Sequence, residues 1–228
     1  MDIEELELWE AENADEFSAS VAGDIGFIID QALEARREAI IALPVEDFLL
    51  PAYALLAEGR RDWRHVRILP SHDGVVAIDD PDSKVATLAR LFMPKGARVT
   101  PLSSGGGDYK MAGAASDASL QDIGWPLDLV LLTMGEGGGI AGLVTGPDID
   151  EAMTADDDRR AMGMISDEGA EYVTLTKRAI TTSRTLMFAV AGSRKQSDLQ
   201  AAAKGDDTPA GRILADVTVP VDAHVLLD

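Results

Sequence analysis

The chain carries 228 residues, 46% of them apolar and 26% charged, a composition ordinary for a soluble globular protein and sufficient for one substantial core. Its 40 acidic and 20 basic side chains give a formal charge of −20, which argues against nucleic acid or an anionic membrane as partner, since both require a basic face. The absence of cysteine excludes disulfides, thiolate nucleophiles, iron–sulfur clusters and cysteine-ligated zinc.

Taken in chain order, residues 14–37 place Phe17, Val21, Ile25, Ile28, Ile29 and Leu33 at helical spacing, with Asn13 or Asp15 available as a cap. Ala39 to Leu43 is a short apolar strand closed by Pro44. A second helix is expected from Asp47 to Gly59, with Pro51 tolerable in its first turn. Val66 to Leu69 is the next strand, and 71–84 (SHDGVVAIDDPDSK) reads as a long loop from its Asp, Gly and Pro content. Helical spacing resumes over Ser83 to Phe92. Residues 98–118 begin like a strand and continue as a small-residue loop, with a short helix near Ser119 to Gly124. Leu127 to Met134 is a strand buried on both faces. After Pro147, DIDEAMTADDDRRAMGMIS is expected to be loop and helix. Tyr172–Thr176 and Leu186–Ala191 are strands, Arg194–Ala203 and Pro209–Asp216 helices, and Val217–Val221 and Val225–Leu227 β-like. This alternation predicts an α/β fold in a single domain over residues 1–228, with a mostly parallel central sheet flanked by helices.

The stretch from Trp125 to Pro147 joins the most apolar strand to Gly135, Gly137, Gly138 and Gly139. A strand running into glycines is where an open α/β sheet usually builds its binding site. Gly137 to Gly142 also satisfies G-x-G-x-x-G. No acid-terminated strand follows about 20 residues later, so no dinucleotide and no other cofactor is expected. The three histidines are dispersed, which argues against a metal site. His65 and His224 read as structural or surface residues, whereas His72 follows a strand and neighbours Asp73. Lys195, beside Ser193 and Arg194 at a helix start, is placed to meet a phosphate. No apolar run approaches the roughly 20 residues that span a bilayer. The opening MDIEELELWE is acidic where a secretory signal is basic, so a cytoplasmic location is expected.

Together these segments resemble the 6-phosphogluconolactonases, relatives of glucosamine-6-phosphate isomerase/deaminase. The family signature G-M-G-x-D-G-H-T-A-S-L-F-P-G aligns with Thr133 to Gly146. Asp62-Trp63-Arg64-His65-Val66 matches the tryptophan-containing lead into the second strand. Pro81-Asp82-Ser83 matches P-x-S-N, with Lys84 in place of asparagine. Val173-Thr174-Leu175-Thr176, then Ala191-Gly192 with Lys195, matches the later strand pair and its lysine. The resemblance implies hydrolysis of a phosphorylated sugar lactone, yet it places the family's general-base histidine on Gly139 and its partner aspartate on Gly137. The first phosphate loop falls on Pro44 to Leu49, the D-E-R triplet on His72-Asp73-Gly74, and a further arginine on Tyr172. A positioned general base contributes about 10²–10⁴-fold in rate, so lactone hydrolysis is expected to be weak or lost.

Two functions follow. One is a 6-phosphogluconolactonase-like protein of the pentose phosphate pathway with an impaired site, in which His72 is the candidate catalytic base. The other is a non-catalytic member that binds a metabolite or a protein. The expected ligand is a small phosphorylated sugar, with Gly135, Glu136, Gly138, Ser83 and Lys195 as the ligand-binding candidates. Residues 46–49 are expected to fill or repel the phosphate space. His72 is expected at the sheet's carboxyl edge, with its ring turned away from Gly135–Gly139. The oligomeric state does not follow from the sequence.

Overall fold

The computed structural model describes residues 6–103, 105, 107–156, 158–219 and 221–228. Its main sheet holds β1 (Leu6–Ala11), β2 (Ala39–Leu43), β3 (Val66–Pro70), β5 (Arg98–Val99), β6 (Leu129–Leu132), β9 (Leu186–Ala191) and β10 (Val221–Leu226). They lie in the order β1-β10-β9-β6-β2-β3-β5, and every pairing is parallel. A second sheet, antiparallel and in the order β4-β8-β7, joins β4 (His72–Gly74), β8 (Glu171–Leu175) and β7 (Ala161–Ile165).

Side chains alternate across the central strands with the period of two that a pleated backbone imposes. Ile41, Leu43, Leu129, Leu131 and Met187 face one core, shared with α1 (Ala14–Arg36), α2 (Leu50–Glu58) and α3 (Lys84–Phe92). Ile40, Ala42, Val130, Leu132 and Phe188 face the other. That second core is closed by the small sheet with α4 (Tyr109–Leu120), α5 (Ile149–Thr154), α6 (Lys177–Thr181), α7 (Ser193–Ala203) and α8 (Pro209–Leu214). A strand apolar on every residue, such as β2, is what two covered faces require.

Several elements match their sequence expectation. Asn13 caps α1, its side chain accepting from the Glu16 backbone N–H, and Pro51 sits in the first turn of α2. Others need correction. The segment read as a small-residue loop contains α4, which ends at Leu120, only two residues into the helix expected at 119–124. The long loop over 71–84 contains β4, and the segment after Pro147 contains β7 as well as α5. The tail forms one strand, β10, beginning at Val221, so residues 217–219 of the first β-like segment lie outside it, and its neighbour β1 was not expected. The central strand is shorter than read, beginning at Leu129 and ending at Leu132.

Packing explains why α4 has so few large residues. A Cβ on Gly113 would lie 1.9 Å from the Gly163 backbone N, and one on Gly163 would lie 1.8 Å from the Tyr109 carbonyl oxygen. The helix backbone therefore rests directly on β7, which only glycine at both positions allows. Gly113→Val is expected to lower unfolding stability by at least about 1–3 kcal/mol, the cost of overpacking. Urea unfolding checks this, and an unchanged midpoint would refute the close contact.

Candidate functional site

The order of the main sheet reverses between β6 and β2: the chain steps from β2 through β3 to β5 on one side, and from β6 through β9 to β10 on the other. Such a switch point leaves a crevice beyond the carboxyl ends of the strands. A cavity of about 250 Å³ opens there. Glu46 enters it from the loop after β2, His72 from the chain after β3, and Lys84 from the first turn of α3. Thr133, Gly135, Gly139 and Gly142 enter from the segment after β6, and Tyr172 from β8.

Local hydrogen bonds hold these groups in place. The Tyr53 hydroxyl donates to the Pro44 carbonyl at 2.7 Å, fixing the loop that delivers Glu46. Burial, with the Glu46 carboxylate second, pushes the Tyr53 phenol well above its usual range, so it remains a donor. The buried Asp73 carboxylate accepts from the backbone N–H groups of Gly74 and Lys84, both at 2.9 Å, and of Val85 at 3.1 Å. This joins β4 to the start of α3 and sets Lys84 beside His72. Burial raises the Asp73 carboxyl, and the three donated hydrogen bonds oppose that rise.

The glycine segment is a closed turn. Gly135 N–H donates to the Gly139 carbonyl at 2.7 Å, and Gly139 N–H donates to Glu136 at 3.2 Å. Gly137 and Gly138 adopt φ of 62° and 72°, a region other L-residues resist. A Cβ on Gly138 would lie 2.5 Å from that of Thr208, the residue that caps α8. The Thr174 hydroxyl, on β8, donates to the Ala141 carbonyl and ties the small sheet to the same segment.

Of the sequence candidates, His72 and Gly135 line the cavity. The others lie elsewhere. Ser83 is buried and caps α3, its hydroxyl accepting from Ala86 N–H. Glu136 is exposed and outside the lining, and Gly138 serves close packing. Lys195 lies in the first turn of α7, which packs against the glycine turn, but its side chain does not line the cavity. Residues 46–49 meet their expectation only in part: they do not fill the space, though one carboxylate faces it. Leu49 is buried in the core, Phe48 packs on Phe17 with ring centroids 5.8 Å apart, and Asp47 is exposed. Glu46 alone of the four reaches the cavity, which is open rather than filled.

The His72 ring does not turn away from the glycine segment. Its Cβ would lie 3.0 Å from a Cβ on Gly142, its ring meets Tyr172 edge-on at 6.2 Å, and its Nδ1 shares a hydrogen bond with the Ser71 hydroxyl at 3.3 Å. Burial, with the Lys84 ammonium second, pushes the imidazole down to about 3. The other two histidines lie apart from the cavity. His65 is exposed, and His224 is buried in β10 with Nε2 at 3.0 Å from Asp24 and Nδ1 at 3.1 Å from the Ser20 hydroxyl. Among the described residues no group of three or more His, Asp or Glu is arranged to hold a metal, and no helix is long and apolar enough to cross a membrane.

A family model for glucosamine-6-phosphate isomerases/6-phosphogluconolactonase matches residues 12–220. The chain belongs to this family. A 6-phosphogluconolactonase of Pseudomonas putida is 24% identical over 98% of this chain and 97% of its own, and one of Pseudomonas aeruginosa 25% identical over 96% and 93%. The crystal structure of a 6-phosphogluconolactonase from Shewanella baltica superposes with a TM-score of 0.90 at 22% identity, covering 98% of this chain and 99% of that one. That from Trypanosoma brucei gives 0.80 at 18% identity, covering 96% and 95%. The 6-phosphogluconolactonase-like fold thus extends over 98% of this chain, and the cavity sits at its switch point.

The His72 environment makes a pH prediction. The native ring takes up a proton only near pH 3, whereas an unfolded histidine does so near its unperturbed value of about 6.5. Between those values the unfolded state binds more protons, so His72 contributes to stability fully above about pH 6.5 and that contribution is lost as pH falls towards 3. Nitrogen NMR should show a neutral His72 ring at pH 5, and His72→Asn should flatten the loss of stability across this window. A ring that titrates near 6.5 in the native protein would contradict this.

Proposed function

We propose that this is a 6-phosphogluconolactonase-like protein of sugar-phosphate metabolism that binds a small phosphorylated sugar in the switch-point cavity and hydrolyses 6-phosphogluconolactone weakly or not at all. One observation carries the reading. The position where the family resemblance places the general-base histidine is Gly139, and the one imidazole that lines the cavity is held at about 3. A base that weak accepts a proton at neutral pH with little driving force, outside the range where general-base catalysis is efficient. The ionisable lining is Glu46, His72, Lys84 and Tyr172. Lys84 supports binding of a phosphate, while Glu46 opposes a second negative group nearby, which favours one singly phosphorylated ligand.

The wild-type protein is expected to consume lactone no faster than spontaneous hydrolysis allows, or at a small fraction of the common enzymatic kcat of about 1–10³ s⁻¹. A kcat inside that range would overturn the proposal. The site also leaves room for a reversal. Gly139 has φ −63° and ψ 139°, which any residue adopts, and a Cβ there would meet Val144 Cγ1 at 3.1 Å, a contact relieved by a shift of a few tenths of an ångström. A Cβ on Gly137 meets nothing within 4 Å, although its φ of 62° strains a side chain by about 1–2 kcal/mol. The double variant Gly137→Asp, Gly139→His is expected to raise lactone hydrolysis about 10²-fold over wild type. An unchanged rate in the folded double variant would place the deficit in ligand binding rather than in the missing base.

A further inference from the structure

The opposite end of the same strands carries a second cavity, of about 280 Å³. Arg36 and Arg37 reach it from the end of α1, Arg64 and Arg67 from either side of the start of β3, and Arg98 from the first residue of β5. Five of the 20 basic residues of a chain with formal charge −20 therefore surround one concavity, whose acidic lining residue is Glu38. β2 and β3 run from this cavity to the one that holds Glu46 and His72, so the two sites cap opposite ends of the main sheet.

Internal pairing leaves much of this charge unanswered. Arg36 is bound by the buried Asp128, which also meets Arg184 at 3.4 Å, so two guanidinium groups share one carboxylate. Arg64 pairs with Asp62 at 3.1 Å. Arg67 donates through Nη1 to the Thr100 hydroxyl at 3.0 Å, and its Nε is buried with no hydrogen-bond partner among the described residues. Arg37 and Arg98 have no ion-pair partner among the described residues. Guanidinium groups present planar forks of N–H donors that match phosphate and carboxylate oxygens two at a time. Gathering them around a concavity is unfavourable through mutual repulsion unless an anion answers it.

We infer that the arginine-lined cavity at the amino ends of β2, β3 and β5 is a second binding site, for a small polyanion bearing two or more phosphate or carboxylate groups. Its volume suits one such molecule. The strongly acidic remainder of the chain disfavours a long polyanion that would have to run beyond the patch.

The test titrates the full-length protein with inorganic pyrophosphate and with citrate by calorimetry, at an ionic strength held constant with sodium chloride, and maps the site by amide NMR. Saturable one-to-one binding is expected, with perturbed amides at residues 36–38, 64–67 and 98. Arg37→Gln and Arg98→Gln should each weaken it roughly tenfold or more, the scale of one charge-assisted hydrogen bond. Arg194→Gln, exposed at the start of α7, should leave it unchanged. Pyrophosphate without citrate identifies a phosphate site, and citrate without pyrophosphate a carboxylate site; either supports the inference. Four results would overturn it: no saturable binding, affinity unaffected by both arginine variants, perturbation centred on Gly135–Gly142 alone, or binding only of a long polyanion such as heparin. The lactone assay reads the other cavity, so failure of either proposal leaves the other standing.

Discussion

The Asp73 carboxylate gathers three backbone N–H groups, from Gly74, Lys84 and Val85, and the geometry of the switch-point cavity depends on that convergence. Unanswered, the buried Val85 donor alone would cost about 1–3 kcal/mol. The hydrogen bonds join two segments 11 residues apart, so the intervening chain can loop outward while β4 and α3 stay in register. From β4 the constraint passes on through pairing with β8, His72 opposite Thr174, and from the Thr174 hydroxyl to the Ala141 carbonyl. His72, Lys84, Tyr172 and the glycine turn are thereby held by one connected set of hydrogen bonds, although they lie up to 100 residues apart in sequence. Ser83 contributes to the same arrangement as the cap of α3.

Around this frame the scaffold of the family persists, and the residues of the glycine turn are not among those that specify it. The reason is physical. The sheet is specified by two apolar faces that alternate along β2, β6 and β9, and none of those residues enters the cavity. Substitutions at 137 and 139 therefore leave the core intact. The glycine turn closes on its own carbonyls and packs Gly138 beneath Thr208, requirements met without any catalytic side chain. The neutral His72 follows from the same compactness, since a ring enclosed by Gly142 and Tyr172 and placed near an ammonium group is costly to protonate.

Charge is distributed unevenly between the two ends of the sheet. The carboxyl edge carries a mixed set, Glu46 with Lys84, whereas the amino edge concentrates arginine in a protein that is otherwise strongly acidic. Linear sequence shows this only as scattered basic residues at 36–37, 64–67 and 98. They meet because a parallel sheet brings the beginnings of β2, β3 and β5 to one edge.

Local pattern alone determined the long elements: α1 by helical periodicity and an Asn cap, β2 and β9 by uninterrupted apolar runs, and with them the parallel α/β class. It also marked His72 and the glycine segment after β6 as neighbours at the carboxyl edge, because parallel strands emerge on one side. Tertiary structure decided the rest. Helix α4 was illegible because the small residues that let it rest on Gly163 weaken its hydrophobic periodicity. The short strands β4 and β7 exist through pairing with β8, a partner distant in sequence from β4. The exposure of Glu136, and the inward paths of Glu46 and Lys84, depend on turn geometry and on hydrogen bonds between remote segments. A one-residue change of direction in such a turn moves a side chain from cavity to solvent, and the identity of that residue alone does not encode it.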